Sequence, residues 1–387
     1  MRGITRYFSL LTVLAPVCLL AAETPAKPAG KPIKIGAIFA VTGPASNLGA
    51  PEEKTARMMI EKLNADGGLL GRPVQLVVKD SGGSSEKAVS FAKQLIEEEQ
   101  VLAIVGPSTS GETMAIKSLC EEAGMILVSC AAAEVIVNPQ AKYVFKTPQK
   151  DSQAATWIFK TMKAKGIAKI AVLSDNSGFG KAGKDQLEKL APAQGLTIVA
   201  NEVYNNTATD LTDILAKVKA SGAQAVVNWS IVPAQSILAK NMRQMGMTEP
   251  LFQSHGFGNI KYVEAAGKAA EGILFPCGRL LIVDSLPDTH PQKAVLAAYK
   301  KDYETAYKED VSTFGGHGYD AVLFVIEGIR KAGSDDRAKV RDAIENLTNL
   351  PGTAGVFNLS ATDHNGLGLE AFEMLTVKDG RFTIYQP

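Results

Sequence analysis

The chain has 387 residues, of which 46% are apolar, with 41 Lys and Arg against 40 Asp and Glu. That length exceeds what a single hydrophobic core serves well, so two domains are expected. A net charge of +1 offers no basic field for nucleic acid and argues against that class of partner.

The first 22 residues place Arg2 and Arg6 ahead of an apolar run over 10–20 and close on Ala21-Ala22, the residue order of a secretory signal peptide. The run is shorter than the roughly 18–20 residues that cross a bilayer, and no later run reaches that length. A soluble mature protein in the periplasm is therefore expected. Cys18 suggests a lipoprotein, but Val17 stands where a small residue is needed and Leu19-Leu20 continue the apolar core, so cleavage is expected after Ala22. Residues 23–32, rich in Pro, Ala and Lys, read as a flexible linker.

From residue 33 short β-branched runs alternate with helical ones. Strands are expected over 33–39, 74–79, 101–105 and 125–129, with helices near 52–64, 85–99 and 112–123. Such a rhythm means βαβ units and a parallel sheet. A strand over 143–146 ends at Thr147-Pro148, where the chain is expected to cross into a second α/β unit. That unit opens with a helix over 152–165 and continues with strands over 169–173, 197–203, 225–229, 251–253 and 272–275. The tail reads as helices over 291–308, 318–331 and 336–347, an extended run over 356–359, and a hairpin over 372–384 turning at Asp379-Gly380. A helical block makes no sheet domain by itself, so it should complete the first unit while the hairpin returns to the second. Lobe 1 is thus expected over 33–148 plus 277–355, and lobe 2 over 149–276 plus 356–387, with several crossings that form a hinge.

Open α/β sheets bind ligands beyond the carboxyl ends of their strands. The loop Gly106-Pro107-Ser108-Thr109-Ser110-Gly111 follows a strand and opens a helix, so its hydroxyls and free amides suit an anion; a plainer role is that Ser110 caps the helix. Ser129-Cys130-Ala131-Ala132-Ala133 ends the next strand with side chains small enough for a ligand to reach the backbone. Gly178-Phe179-Gly180-Lys181-Ala182-Gly183 matches the G-x-G-x-x-G spacing, yet residues 174–177 stand where the dinucleotide fingerprint needs a tight turn. The loop more simply presents Phe179 to a cleft. Ser108 and Ser110 do not fit G-x-S-x-G, and His255, His290, His317 and His364 lack catalytic or metal-ligand spacing. No catalytic residue, metal or cofactor is assigned. Cys120, Cys130 and Cys277 have apolar neighbours and read as buried thiols, at least one of them unpaired.

Residues 33–37 leading into Thr42-Gly43-Pro44, the run Asn64-Ala65-Asp66-Gly67-Gly68-Leu69-Leu70-Gly71-Arg72-Pro73, and Gly106-Pro107-Ser108-Thr109-Ser110 together resemble the leucine/isoleucine/valine-binding type of periplasmic solute-binding protein. Phe179-Gly180 after Ser174-Asp175, Ala270-Glu271-Gly272 and Tyr319-Asp320-Ala321 carry the resemblance through the mature chain. It implies the periplasmic-binding-protein type I fold, two doubly wound Rossmann-like lobes joined by a three-segment hinge. It also implies a monomer that binds a small solute between its lobes and delivers it to the permease of an ABC importer.

The same resemblance implies that Ser108, Thr109 and Ser110 hold a ligand carboxylate with help from Ala131, Ala132 and Ala133. It implies that Phe179 closes over the ligand, and that Leu48, Trp229 and Phe314 stand near the wall unless they are simple core. Two departures stand out. Ala133 occupies a position where a threonine commonly adds a hydroxyl, and His255 falls at or beside a position where an acid usually pairs the ligand's ammonium. An imidazole supplies no negative charge, and an unpaired buried ammonium costs several kcal/mol. Either the ligand lacks an α-ammonium, as an aromatic or branched organic acid does, or another acid such as Asp175 or Glu134 supplies the charge. A sensory receptor and an exported enzyme working in the same cleft are the rival classes.

Overall fold

The computed structural model describes residues 27–386; the expected signal peptide, Cys18 and linker residues 23–26 lie outside the described residues. The first series runs β1 (Ile33–Phe39), α1 (Ser46–Ala65), β2 (Val74–Asp80), α2 (Ser85–Glu97), β3 (Ala103–Val105), α3 (Ser110–Glu122), β4 (Ile126–Ser129) and β5 (Val144–Lys146). Its strands pair in parallel in the order β2-β1-β3-β4-β5. Strand order reverses between β1 and β3, which opens a crevice at their carboxyl ends. Helices cover both faces, so the inner strands β3 and β4 are wholly buried, while the edge strand β2 is only half-buried and carries Gln75, Lys79 and Asp80. Ile35, Ala37 and Phe39 of β1 pack toward one cluster while Ile38 packs toward the other.

The second series runs α4 (Asp151–Ala164), β6 (Lys169–Asp175), α5 (Gly178–Leu190), β7 (Thr197–Tyr204), α6 (Thr212–Ala220), β8 (Ala225–Trp229), α7 (Ala234–Gln244), β9 (Leu251–Gln253), α8 (Ile260–Ala266) and β10 (Leu274–Cys277). The tail adds α9 (Lys293–Tyr307), α10 (Thr313–Ala332), α11 (Arg337–Glu345), β11 (Leu350–Pro351), β12 (Val356–Phe357), β13 (Glu373–Lys378) and β14 (Arg381–Ile384). The second sheet is ordered β14-β13-β10-β9-β8-β6-β7, with the terminal hairpin antiparallel at one edge. Asp379 and Gly380 both have positive φ, 51° and 70°, as a tight two-residue hairpin turn requires.

Several boundaries differ from expectation: helix α1 starts at Ser46, six residues before the expected start, and so carries Leu48. Helix α10 begins at Thr313 because the Ser312 hydroxyl caps it, accepting from the Gly315 amide at 3.2 Å; this brings Phe314 and His317 onto its first turns. Strand β6 continues to Asp175, two residues past the expected end. Phe357, Leu359, Leu367 and Ala371 pack into the first lobe's core, so residues 356–371 do not join the second lobe as expected. The Phe357 ring meets Phe324 of α10 edge-on at 4.7 Å, and only the 373–384 hairpin returns to the second sheet.

The chain passes between the sheets after β5, after β10 and before β13. The passages are tied to one another. Gln149 Nε2 donates to the Ala354 carbonyl at 2.7 Å, Asn365 Nδ2 to that of Pro148 at 2.8 Å, and Arg279 pairs with Glu373 at 2.7 Å. Cys120, Cys130 and Cys277 are all buried and unbridged. No described helix is long and apolar enough to cross a membrane.

Candidate functional site

The first wall of the cleft is built where β3 turns into α3. Thr109, not Ser110, is the helix cap: its hydroxyl accepts from the Glu112 amide at 3.4 Å, and the Glu112 carboxylate accepts from the Thr109 amide at 3.2 Å. The Ser110 and Gly111 amides at the helix start have no partner among the described residues, at the end of α3 that favours negative charge. Ser110 Oγ accepts from the Ala133 amide at 3.2 Å, and its proton remains available to a ligand. The Ala131 amide is likewise spent on Ser129 Oγ at 3.1 Å. Of the three alanine amides at the end of β4, only that of Ala132 has no partner among the described residues.

Ser108 lines the cavity but its hydroxyl is occupied, accepting from the Ala40 amide at 3.0 Å and donating to the carboxyl of Glu52 on α1. Glu52 is wholly buried, and burial pushes its pKa well above the usual carboxylate range. Sequence reasoning missed this residue. The signal was its place at helical spacing among Leu48, Thr55 and Ala56, which makes it one of the buried face of α1.

Leu48, Ser110, Ala131, Ala132, Phe179, His255 and Phe314 enclose one cavity between the lobes. Thr109 lies instead at the cleft mouth, with Gly111 and Gly178. Neither Ala133 nor Trp229 lines the cavity. Trp229 is fully buried in the second lobe's core, its indole nitrogen set against Gly183, where any Cβ would overlap the ring. Gly180 is pressed against Asp175 in the same way, so the G-x-G-x-x-G spacing here serves close helix–strand packing.

The second lobe supplies Phe179 from the first turn of α5 and His255 from the turn after β9. The imidazole meets Phe179, Trp229 and Phe372 edge-on at 5.5, 5.6 and 5.8 Å. It is 7% exposed, and burial, reinforced by the charge of Lys146, holds its pKa well below the usual histidine value. Neither ring nitrogen has a hydrogen-bond partner among the described residues. The nearest carboxylate, Asp151 at the start of α4, stands 3.7 Å from Nε2. Asp151 and Lys146 are both fully buried; burial raises the first and lowers the second, and their mutual attraction opposes both shifts. Lys146 Nζ donates to the carbonyls of Pro148 and Gln149 at 2.6 and 3.1 Å.

Asp175 is engaged elsewhere, accepting from Ser230 Oγ at 2.7 Å and the Ser177 amide at 2.9 Å. Glu134 holds Asn138 at 3.4 Å and does not line the cavity. His317, which in the sequence lacks catalytic or metal-ligand spacing, lines the cavity from α10; burial and then Lys146 bring its pKa down to about 3. No local pattern distinguishes His317, Lys146 or Asp151 in the sequence, because their proximity arises only when α10 and the first crossing meet.

At the lip, α3 and α5 touch through glycines: a Cβ on Gly178 would lie 2.9 Å from the Gly111 Cα. Asn259 Nδ2 also donates across the cleft to the Asn47 carbonyl at 3.0 Å. The cavity is thus shut between two lobes. A family model described as periplasmic binding protein matches residues 32–381. The chain belongs to that family. It has the type I, two-lobed arrangement of the leucine/isoleucine/valine-binding proteins, and it is a binding protein, not an enzyme.

Among its relatives, the Leu/Ile/Val-binding protein homolog 3 of Brucella melitensis is 26% identical over 96% of this chain and 98% of its own. An extracellular ligand-binding receptor from Rhodopseudomonas palustris superposes with a TM-score of 0.86 at 26% identity, covering 92% of this chain and 100% of that one. A branched-chain amino acid transporter substrate binding protein from Streptococcus pneumoniae, in complex with isoleucine, superposes at 0.80 and 26% identity, with 92% and 100% covered.

Proposed function

We propose that the protein is the extracytoplasmic receptor of an ABC importer and that it captures a small carboxylate lacking an α-ammonium. His255 carries this reading. It faces the same cavity as Ser110 and the unspent Ala132 amide, and it is held neutral by burial. An ammonium set against it would be a buried charge without a partner. The Ser110 hydroxyl, the Ala132 amide and the start of α3 suit the carboxylate, while Leu48, Phe179 and Phe314 suit a branched or aromatic body.

Capture proceeds by closure about the three passages. Ligand contacts both lobes only when they are shut, so binding shifts the population to the closed form, which the permease would read. To move a two-state equilibrium from 1:99 to 99:1 the ligand must bind the closed form about 5.5 kcal/mol more tightly than the open one, a difference that the contacts added by the second lobe supply.

A thermal-shift screen of the mature protein tests the reading, because ligand binding to the native state raises Tm. Stabilisation by branched or aromatic carboxylates and none by amino acids is the expected result. The second reading is an ordinary amino-acid receptor, favoured by the position of Asp151 beside His255. Stabilisation by leucine, isoleucine or valine would establish it and overturn the first.

A further inference from the structure

The cavity that Ser110 faces does not end at His255. A second hollow, lined by Gln149, Leu280, Thr313 and Thr353, lies on the hinge side, and His255 and His317 line both. Most polar side chains of this second hollow are already engaged. Thr313 Oγ1 donates to the Gly258 carbonyl at 3.1 Å, Thr353 Oγ1 to Asp320 at 2.9 Å, and Gln149 Nε2 to the Ala354 carbonyl at 2.7 Å. The two imidazoles are the exception. Both ring nitrogens of His255 and Nδ1 of His317 are buried without a partner, and each residue is only 7% exposed. A buried polar group left unsatisfied costs about 1–3 kcal/mol, so two such rings lining the same two hollows mark a place where a ligand group completes the hydrogen bonding.

We propose that His255 and His317 form a second polar subsite, which takes a hydroxyl at the end of the ligand remote from its carboxylate. The inference rests on the carboxylate reading above and narrows it to hydroxy acids. A neutral imidazole presents one donor and one acceptor. A hydroxyl, itself donor and acceptor, satisfies one nitrogen of each ring without bringing charge into the hollow. A second carboxylate would accept from both rings but donate to neither. It would also set an anion beside the unpartnered Asp151 carboxyl, 3.7 Å from His255 Nε2.

Isothermal titration of the full mature protein with matched acids tests this: para-hydroxyphenylacetate against phenylacetate and para-carboxyphenylacetate, and omega-hydroxyhexanoate against hexanoate and adipate. In at least one series the hydroxy acid is expected to bind about tenfold or more tighter than its deoxy analogue. His317→Leu should shrink that ratio. Equal affinity of hydroxy and deoxy acids, or preference for the diacid, overturns the subsite and leaves carboxylate capture standing. Binding of leucine with none of these acids overturns both. If His317→Leu does not fold, the wild-type ratio alone decides.

Discussion

The two ends of the cleft are built on opposite principles. At the carboxylate end most hydroxyls and amides are committed within the protein, Ser108 to Glu52 and Ala40, Thr109 to Glu112, Ala131 to Ser129, Ala133 to Ser110, while one oxygen each of Glu52 and Glu112 stays unpartnered among the described residues. What remains for a ligand is the Ser110 proton and a few amides. At the hinge end the scaffold is bonded too, but both nitrogens of His255, Nδ1 of His317 and both carboxyl oxygens of Asp151 have no partner among the described residues. A saturated network is rigid and positions, whereas unsaturated buried groups are costly until something fills them. The first end therefore supplies a fixed anchor, and the second supplies discrimination.

Substitutions at the anchor should separate scaffold from contact. Ser108→Ala strands both the Ala40 amide and Glu52, and should cost about 2–3 kcal/mol of stability in urea denaturation. Ser110→Ala should instead be read mainly in binding, with affinity for the selected carboxylate falling about tenfold by titration. Unchanged affinity would remove the head-group assignment. If Ser108→Ala proves the milder change for folding, Ser108 is not part of the scaffold.

The hinge end should reveal itself through pH. The folded His317 stays neutral down to about pH 3 while an ordinary histidine takes a proton near 6.5. Between those values the unfolded chain binds a proton that the folded one does not, so stability falls as pH falls through that window. Wild type should lose ground relative to His317→Gln by up to about 1.4 kcal/mol per pH unit. Parallel stability profiles for the two proteins would show that His317 is not held neutral.

Closure can be probed at the lip, where the two glycines are not equivalent. An alanine at 178 brings its Cβ to 2.9 Å from the Gly111 backbone, whereas one at 111 has nothing nearer than Ser85 Oγ at 3.8 Å. Gly178→Ala should weaken ligand binding several-fold while Gly111→Ala stays close to wild type, as titration with the same ligand would show. The smallest effect is expected from Glu52→Gln. Burial favours the neutral acid, and a glutamine keeps an oxygen to accept from Ser108, so the melting profile near neutral pH should change by less than about 1 kcal/mol.

The sequence determined the βαβ rhythm, the two sheets and the closing hairpin, because burial of a strand on both faces or of a helix on one writes itself into residue order. It also placed Ser110, Ala132, Phe179 and His255 on strand-end loops, where an open α/β sheet faces its ligand. Tertiary structure alone decided which of those groups remain free. Trp229 left the wall because Gly183 opens a slot for its ring. Ser108 became scaffold because α1 delivers Glu52 to it. Residues 356–371 went to the first lobe because Phe357 finds Phe324. His317 joined His255 across some 60 residues of chain because α10 starts at the hinge. Local spacing records periodicity, but the spending of a hydrogen bond depends on partners distant in sequence, and only the folded chain brings them within reach.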